Sequence, residues 1–552
     1  MFLLVVLAAA IVTLNAPAKQ ALLDVPMPPQ AFCAGDHPAF DNPFAGPYWN
    51  GWGVDLNNRR SQPDSMAGLP GEQVQRLKLK WAFGVPGASG MFAQPTVIGG
   101  RLFFGTSVGK VYSIDAASGC IYWSFETGAL VRTAITIGPA GDRWAAYFGD
   151  NGARGAHAYA VDAGTGRLIW KVTVDDSRFA HITGAPILAS GKLYVPVTGD
   201  EDAAAGDPGF QCCTFRGSLV ALDAGTGRQI WKSYTIAEAS RPVRKNSHNV
   251  QQWGPSGAGI WSAPTVDLDK RAIYATTGDS HSNPAALTSD AVLAFDMDTG
   301  AMLWSRQMTP GDAWNSACAD GDPANCPEAH GLDLDFGSSP ILVDLQGAGR
   351  ALIAGQKSGL MYALDPDCQG KMLWQTRIGK GGPAGGIQWG PAVDAQNVYV
   401  ALSDMPDTFS RSSVFESIWF RVKRRLVSDG GGGTFALRLS SGERVWYTPP
   451  QCEGPGICRP AQLAAVTHIP GVVFSGSMDG HLRAYSTAGG RVLWSVDTAR
   501  DFVTVNGVKA HGGAICGPGP VVVGGVLYAN SGYPAPRGLP GNVLLAFSID
   551  GK

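Results

Sequence analysis

Apolar residues recur along this chain in short bursts, each broken by the same polar turn. The run LVALDAGTGRQIW at residues 219–231 has near-copies ending at Trp123 (SIDAASGCIYW), Trp170 (AVDAGTGRLIW), Trp304 (AFDMDTGAMLW), Trp374 (ALDPDCQGKMLW), Trp446 (ALRLSSGERVW) and Trp494 (AYSTAGGRVLW). Each reads as an apolar strand, an Asp-x-x-Thr/Ser-Gly turn and a short strand closed by Trp, a β-hairpin with Gly where the turn needs positive φ. A second mark precedes the copies: Gln94-Pro95, Ala185-Pro186, Ala263-Pro264, Ser339-Pro340, Gly390-Pro391 and Gly517-Pro518, followed by apolar runs such as ILASGKLYVPV. Such runs suit strands buried between neighbouring sheets.

From Trp81 onward, successive repeat tryptophans are separated by 42 to 73 residues. The shorter intervals match one four-stranded propeller blade of about 40–50 residues, the longer ones a blade with an inserted loop. The last repeat, from Pro518 to Phe547, has no Trp of its own. Trp81, in LKLKWAFG, can supply the missing outer strand and close the ring, which removes free sheet edges. The pattern predicts an all-β, eight-bladed β-propeller closed by an N-terminal strand.

The chain has 552 residues, enough for three or four domains at about 150 residues each, but a continuous repeat makes one closed unit. Charged residues are only 16%, and 73 Gly and 37 Pro fit many tight turns. A net charge of −2 gives no case for nucleic acid or an anionic membrane surface. The opening MFLLVVLAAAIVTLNAPA reads as a signal peptide over residues 1–18, or as an uncleaved anchor, which is the one route to a membrane. Residues 19–46 form a Pro-rich N-terminal extension and residues 47–552 the propeller.

Ten cysteines in an exported chain invite disulfides. Cys318 with Cys326, and Cys452 with Cys458, flank short loops and read as staples, whereas Cys33, Cys120, Cys368 and Cys516 have no assignable partner. Cys33-Ala-Gly-Asp-His37 lacks the second cysteine of a Cys-x-x-Cys-His haem site.

Tyr48-Trp49-Asn50-Gly51-Trp52-Gly53-Val54-Asp55, Asn57-Asn58-Arg59, the WAFG strand and the Asp-x-x-Thr-Gly-x-x-x-Trp repeats together resemble the quinoprotein dehydrogenases that carry pyrroloquinoline quinone (PQQ), with the closest likeness to polyvinyl-alcohol dehydrogenases. The resemblance covers residues 47 to 549. It implies oxidation of a secondary or polymeric alcohol in the periplasm, with a divalent metal such as calcium and with electrons passing to a separate cytochrome c. Non-catalytic envelope-assembly propellers share the repeat, so a protein-binding scaffold is the alternative.

Quinone chemistry of this kind needs a Lewis-acid metal, a carboxylate base and a cation near the quinone oxygens. By the resemblance, Glu201 in Thr198-Gly199-Asp200-Glu201-Asp202 binds metal, although three acids in a row also suit a surface turn. Trp261 is the flat floor beneath the quinone. Asp279 stands where relatives place a metal-binding Asn or Asp. In GLDLDFGSSP, strand alternation points Asp333 and Asp335 to one side, where two like charges call for a cation between them. Asp333 is the expected base and Asp335 a second metal-side carboxylate. A competing register, TPGDAWN, puts Asn315 at the base position, and Asp312 is the other candidate. Lys357 is the expected electrophile. Thr183, Arg154 and Gln388 occupy positions that resemble cofactor clamps. Cys212-Cys213 is similar to the vicinal disulfide that covers PQQ, although it falls in the third repeat rather than the second. Within the insertion at 403–433, residues 415–427 suit a basic amphipathic helix.

Overall fold

The computed structural model describes residues 27–552 except 36–37, 320–321, 329, 348, 406–431, 452–460 and 535–537. The expected signal segment, the 415–427 helix and the Cys452–Cys458 pair lie outside the described residues. Among the described residues, seven four-stranded antiparallel sheets and one of five strands, in which the short strand Ala180–His181 is added to the third sheet, are arranged as eight blades. Blade 1 begins at Thr96–Ile98, and blades 2 to 8 begin at Thr136–Ala140, Ile187–Ala189, Thr265–Asp267, Ile341–Leu345, Ala392–Val393, Thr467–Ile469 and Val521–Val523. Leu77–Gly84 pairs antiparallel with Val543–Ile549 as the outer strand of blade 8, with Trp81 opposite Ala546. The ring is therefore closed by the N-terminal strand.

The repeated Trp and Gly belong to one contact between blades. Indole N–H groups of Trp81, Trp123, Trp170, Trp374 and Trp446 donate to the backbone carbonyls of Ala116, Ala163, Ala224, Leu439 and Thr487, each on the next blade's turn. The turn glycine lies flat against that ring. A Cβ on Gly166 would meet Trp123 at 2.7 Å, and one on Gly227 would meet Trp170 at 2.8 Å, both at φ +73°. Asp162 and Asp223 fold these turns by accepting from the amides and hydroxyls of Thr165 and Thr226. Apolar faces are buried between blades: Trp81, Phe83 and Leu544 of blade 8, for example, pack on Leu102, Phe104 and Tyr112 of blade 1.

Residues 49–62 run around the axis on the side of the turns that join first and second strands, touching blade after blade. Trp49 exchanges backbone hydrogen bonds with Val97 of blade 1, and Asn50 brackets Ile137 of blade 2. Trp52 packs on Ala185 beside blade 3. The carbonyls of Leu56, Asn57 and Arg59 accept from Val266, Leu342 and Val393 of blades 4, 5 and 6. Gln62 bonds His468 of blade 7 through its amide and Val522 of blade 8 through its side chain. This plug closes one end of the central channel. The opposite end, where first strands begin and second strands end, carries the cavity described next. Among the described residues no helix is long and apolar enough to cross a membrane.

Candidate active site

A cavity of about 230 Å³ lies on the axis at that open end, lined by residues from blades 2 to 6. Asp333, Asp335 and Asp279 each turn a carboxylate oxygen into a group whose members lie within 4.8 Å of one another. Lys357, just past the second strand of blade 5, places its Nζ 2.7 Å from Asp333 Oδ1 and 2.8 Å from Asp335 Oδ2. The other oxygen of Asp335 accepts the Asp279 amide at 2.6 Å. The ammonium also stands 5.6 Å from the centre of the Trp261 ring, which meets Trp389 edge-on at 5.2 Å. The close approach needs small backbones: a Cβ on Gly337 would fall 2.1 Å from Trp261, and one on Gly278 would fall 2.8 Å from Asp335 Oδ1.

The two aspartates do not reach the cation by strand alternation, as expected from GLDLDFGSSP. The first strand of blade 5 starts only at Ile341, and Asp333 is left-handed at φ +56°. Asp312 explains the kink: its buried carboxylate accepts the amides of Asp333 and Leu334 at 3.2 and 2.8 Å. It lines no part of the cavity. Asn315, the alternative base position, donates instead to the carbonyls of His281 and Asn325.

Burial pushes the Asp333 carboxyl well above the usual range, with Lys357 opposing. Asp335, equally buried, ends below that range because Lys357 and the Asp279 amide hold its ionised form. Asp279 is pushed up by burial and then by Asp335 and Asp333. Burial alone would lower the Lys357 ammonium, yet the two aspartates carry it above its ordinary value. Three carboxylates against one ammonium leave an excess of buried negative charge, and Asp279 Oδ2 is buried without a hydrogen-bond partner among the described residues. An all-oxygen donor set of this charge fits a hard divalent cation.

Other expected residues fall in different places. Thr183 lines the cavity. Glu201 does not: it opens the one-turn helix Glu201–Ala204, and its carboxylate accepts the Thr214 and Phe215 amides at 2.7 and 2.6 Å. Its neighbour Asp202 faces the cavity instead. Arg154 is exposed; the cavity arginine is Arg132, which donates to the Tyr533 hydroxyl at 2.6 Å and lies 5.1 Å from the Trp389 ring centre. Gln388 donates to the Gly385 carbonyl, and Trp389 beside it lines the wall. Cys212 and Cys213 form a buried disulfide behind the wall, where Cys212 Sγ lies 3.9 Å from the carbonyl of cavity residue His281. Cys33 pairs with Cys120, and Cys318 with Cys326. Sequence reasoning missed Arg132, His181, His281 and Trp314. The signal for Arg132 was its place just before the blade 2 strand, the position that Thr183 and Trp261 hold before blades 3 and 4.

Residues 49–321 match the family described as glucose/ethanol/alcohol dehydrogenase, β-propeller domain, with a PQQ designation, and residues 288–535 match outer membrane protein assembly factor BamB. The chain is 41% identical over 538 residues to a polyvinylalcohol dehydrogenase from Pseudomonas sp., covering 94% of this chain and 80% of that protein. This chain belongs to the PQQ-dependent quinoprotein alcohol dehydrogenases. A polyvinylalcohol dehydrogenase from Sphingopyxis sp. (strain 113P3) is 39% identical, covering 91% and 77% of the two chains. The crystal structure of quinohemoprotein alcohol dehydrogenase from Comamonas testosteroni superposes with a TM-score of 0.65 at 18% identity, covering 93% of this chain and 82% of that one. Membership places the chain among enzymes rather than the scaffold propellers that share its repeat.

Proposed function

We propose that this chain is a periplasmic PQQ-dependent dehydrogenase of secondary or polymeric alcohols, with a divalent metal such as calcium held by Asp279, Asp333 and Asp335. The observation that carries the reading is one ammonium bridging two of three clustered carboxylates beside an indole face in an axial cavity. When bound, the quinone supplies a two-electron acceptor and the metal a Lewis acid. Trp261 would support the flat cofactor from below. Arg132 and Thr183 would hold its carboxylates, Arg132 because it is the arginine on the cavity wall. Asp333, whose affinity for a proton burial raises, accepts the proton of the substrate hydroxyl. Lys357 keeps Asp335 ionised and holds both carboxylates in place as that proton arrives. The kinked backbone at Asp333, pinned by Asp312, fixes the direction from which the hydroxyl must approach.

The polymeric substrate rests on the two polyvinylalcohol dehydrogenases among its relatives. Three disulfides among the described residues suit an oxidising compartment, and a separate cytochrome c is the acceptor in this reading. The test is reconstitution of purified protein with PQQ and calcium. Quinone absorbance and alcohol-dependent dye reduction are the expected result, and the absence of both overturns the reading.

A further inference from the structure

The proposed oxidation uses nothing at the plugged end of the channel, yet a nucleophile, a base and a carboxylate come together there. A second cavity, of about 660 Å³, lies between the plug and blades 4 to 7, and Ser61, His468 and Asp394 all line it. Ser61 belongs to the plug, His468 to the first strand of blade 7, and Asp394 to the turn after the first strand of blade 6. The backbones of Ser61 and His468 run side by side. The His468 amide donates to the Arg60 carbonyl at 3.0 Å, and the Gln62 amide to the His468 carbonyl at 2.9 Å. That pairing sets the Ser61 hydroxyl 2.7 Å from His468 Nδ1. The other ring nitrogen, Nε2, faces Asp394 Oδ2 at 3.8 Å.

Each member of the trio is held in place. Asp394 accepts the amides of Gln396 and Asn397 at 2.8 and 2.7 Å, and the Tyr399 hydroxyl at 2.6 Å. The Tyr399 ring lies nearly parallel to the imidazole, 5.4 Å between centres, which fixes the plane of the base. Burial pushes the His468 pKa down to about 4 against the pull of Asp394, so the ring is uncharged near neutral pH. A neutral imidazole carries one N–H, and the carboxylate favours it on Nε2. The lone pair is then on Nδ1, aimed at the Ser61 hydroxyl. A base on a nucleophile and a carboxylate on the base is the logic of an acyl-transfer triad, here with the two ring nitrogens exchanged. Ser61 is only part-buried, and Leu268, Val343 and Val393 give the space an apolar wall. Arg59 lines it too, with its Nε on Asp55 and its terminal nitrogens left for an oxyanion.

We propose that Ser61, His468 and Asp394 form a second catalytic site, which hydrolyses carboxylic esters of short acyl chains. His468 takes the Ser61 proton as Oγ bonds to the ester carbonyl carbon, and gives it to the departing alkoxide, which leaves as an alcohol. Water then adds to the acyl-Ser61 carbonyl; His468 accepts one of its protons and returns it to Ser61 Oγ as the carboxylic acid departs. One ester and one water are consumed, no electrons move, and the quinone site takes no part.

The test treats the full-length protein, with PQQ and calcium added, with a biotin-tagged fluorophosphonate and maps the modified peptide by mass spectrometry. Hydrolysis of p-nitrophenyl acetate and p-nitrophenyl butyrate is followed alongside. The expected label is on Ser61 and is lost in Ser61→Ala. Ester hydrolysis should fall by about 10²-fold or more in Ser61→Ala and in His468→Gln, while quinone absorbance and dye reduction with 2-pentanol stay as in the natural protein. Failure of the natural protein to be labelled at Ser61 overturns the proposal without any variant. Labelling without ester hydrolysis, or hydrolysis that Ser61→Ala retains, overturns it as well and leaves the trio as a tie between plug and blades. Because His468→Gln can also loosen the plug, Ser61→Ala and the labelling of the natural protein decide. A protein that hydrolyses esters but oxidises no alcohol would remove the dehydrogenase reading and leave this site standing.

Discussion

Lys357 and its two aspartates show how one residue sets the state of its neighbours. The ammonium bonds both carboxylates, yet Asp335, which also accepts the Asp279 amide, is pulled down, whereas at Asp333 burial prevails. That division is the reason Asp333 rather than Asp335 is proposed as the proton acceptor. Asp333→Asn should lower kcat by about 10²- to 10⁴-fold in steady-state dye reduction while quinone absorbance is retained. Two buried histidines make a separate prediction. His181 and His468 are both pushed down to about 4, chiefly by burial. Between their ordinary value near 6.5 and about 4, the unfolded chain binds more protons than the folded one, so stability falls as pH falls through that window. Each histidine should withdraw about 2 kcal/mol by pH 4.5, seen as a lower Tm than at pH 7, and His468→Gln should make that drop smaller. Asp333, Asp335, Asp279, Lys357 and Trp261, which all line the cavity, were legible in the sequence through the family resemblance, since each lies in a motif that could be matched residue by residue. Glu201 and Arg154 were not, because a one-residue choice within an acidic turn and the facing of a loop arginine depend on tertiary contacts. Here these were the Thr214 and Phe215 amides for Glu201, and a place beside the Trp389 ring that Arg132 fills.

Among the elements, the hairpin turn and the tryptophan of the preceding blade form a unit. The glycine is required twice at Gly227, once by its positive φ and once by the Trp170 ring lying where a Cβ would go. Gly227→Ala should therefore cost about 1–3 kcal/mol, measured by chemical denaturation, whereas an alanine at an exposed turn glycine with open space around it should cost less. This double constraint is why the ring was readable from a motif of a dozen residues: the same local signal states both the turn and the inter-blade contact. The Asp333 segment was misread as strand for the opposite reason. Its alternating pattern is genuine, but Asp312, twenty-one residues earlier, takes the two amides and bends the chain. Long-range pairing hid the Cys33–Cys120 bridge in the same way, since its ends are 87 residues apart.

Across the whole molecule, the plug holds the blades to a common centre. Arg60 lies at its core, fully buried, donating to the carbonyls of Val466 and Trp52, to Gln94 Oε1 and to Thr467 Oγ1. Its guanidinium also stacks on Trp52 at 4.8 Å and on Trp49 at 5.5 Å. No carboxylate faces it in these contacts, and burial pushes its pKa down to about 9. Arg60→Met should lower unfolding free energy by about 3 kcal/mol or more, because several buried acceptors lose their donor at once. The loss should be detectable in denaturant titration as a lower midpoint. Trp52 also meets Trp389, the wall of the cavity, at 6.3 Å, so the same substitution should weaken PQQ retention as well as the ring. The path of residues 49–62 from blade 1 to blade 8 also bears on the order of assembly. The earliest-synthesised part of the propeller needs carbonyls and amides on strands that leave the ribosome last, as does Leu77–Gly84 in its pairing with Val543–Ile549. A nascent chain halted before the eighth blade would therefore leave the Gln62 side chain without Val522 and the strand Leu77–Gly84 without its partner, and closure of the ring must wait for Val543–Ile549.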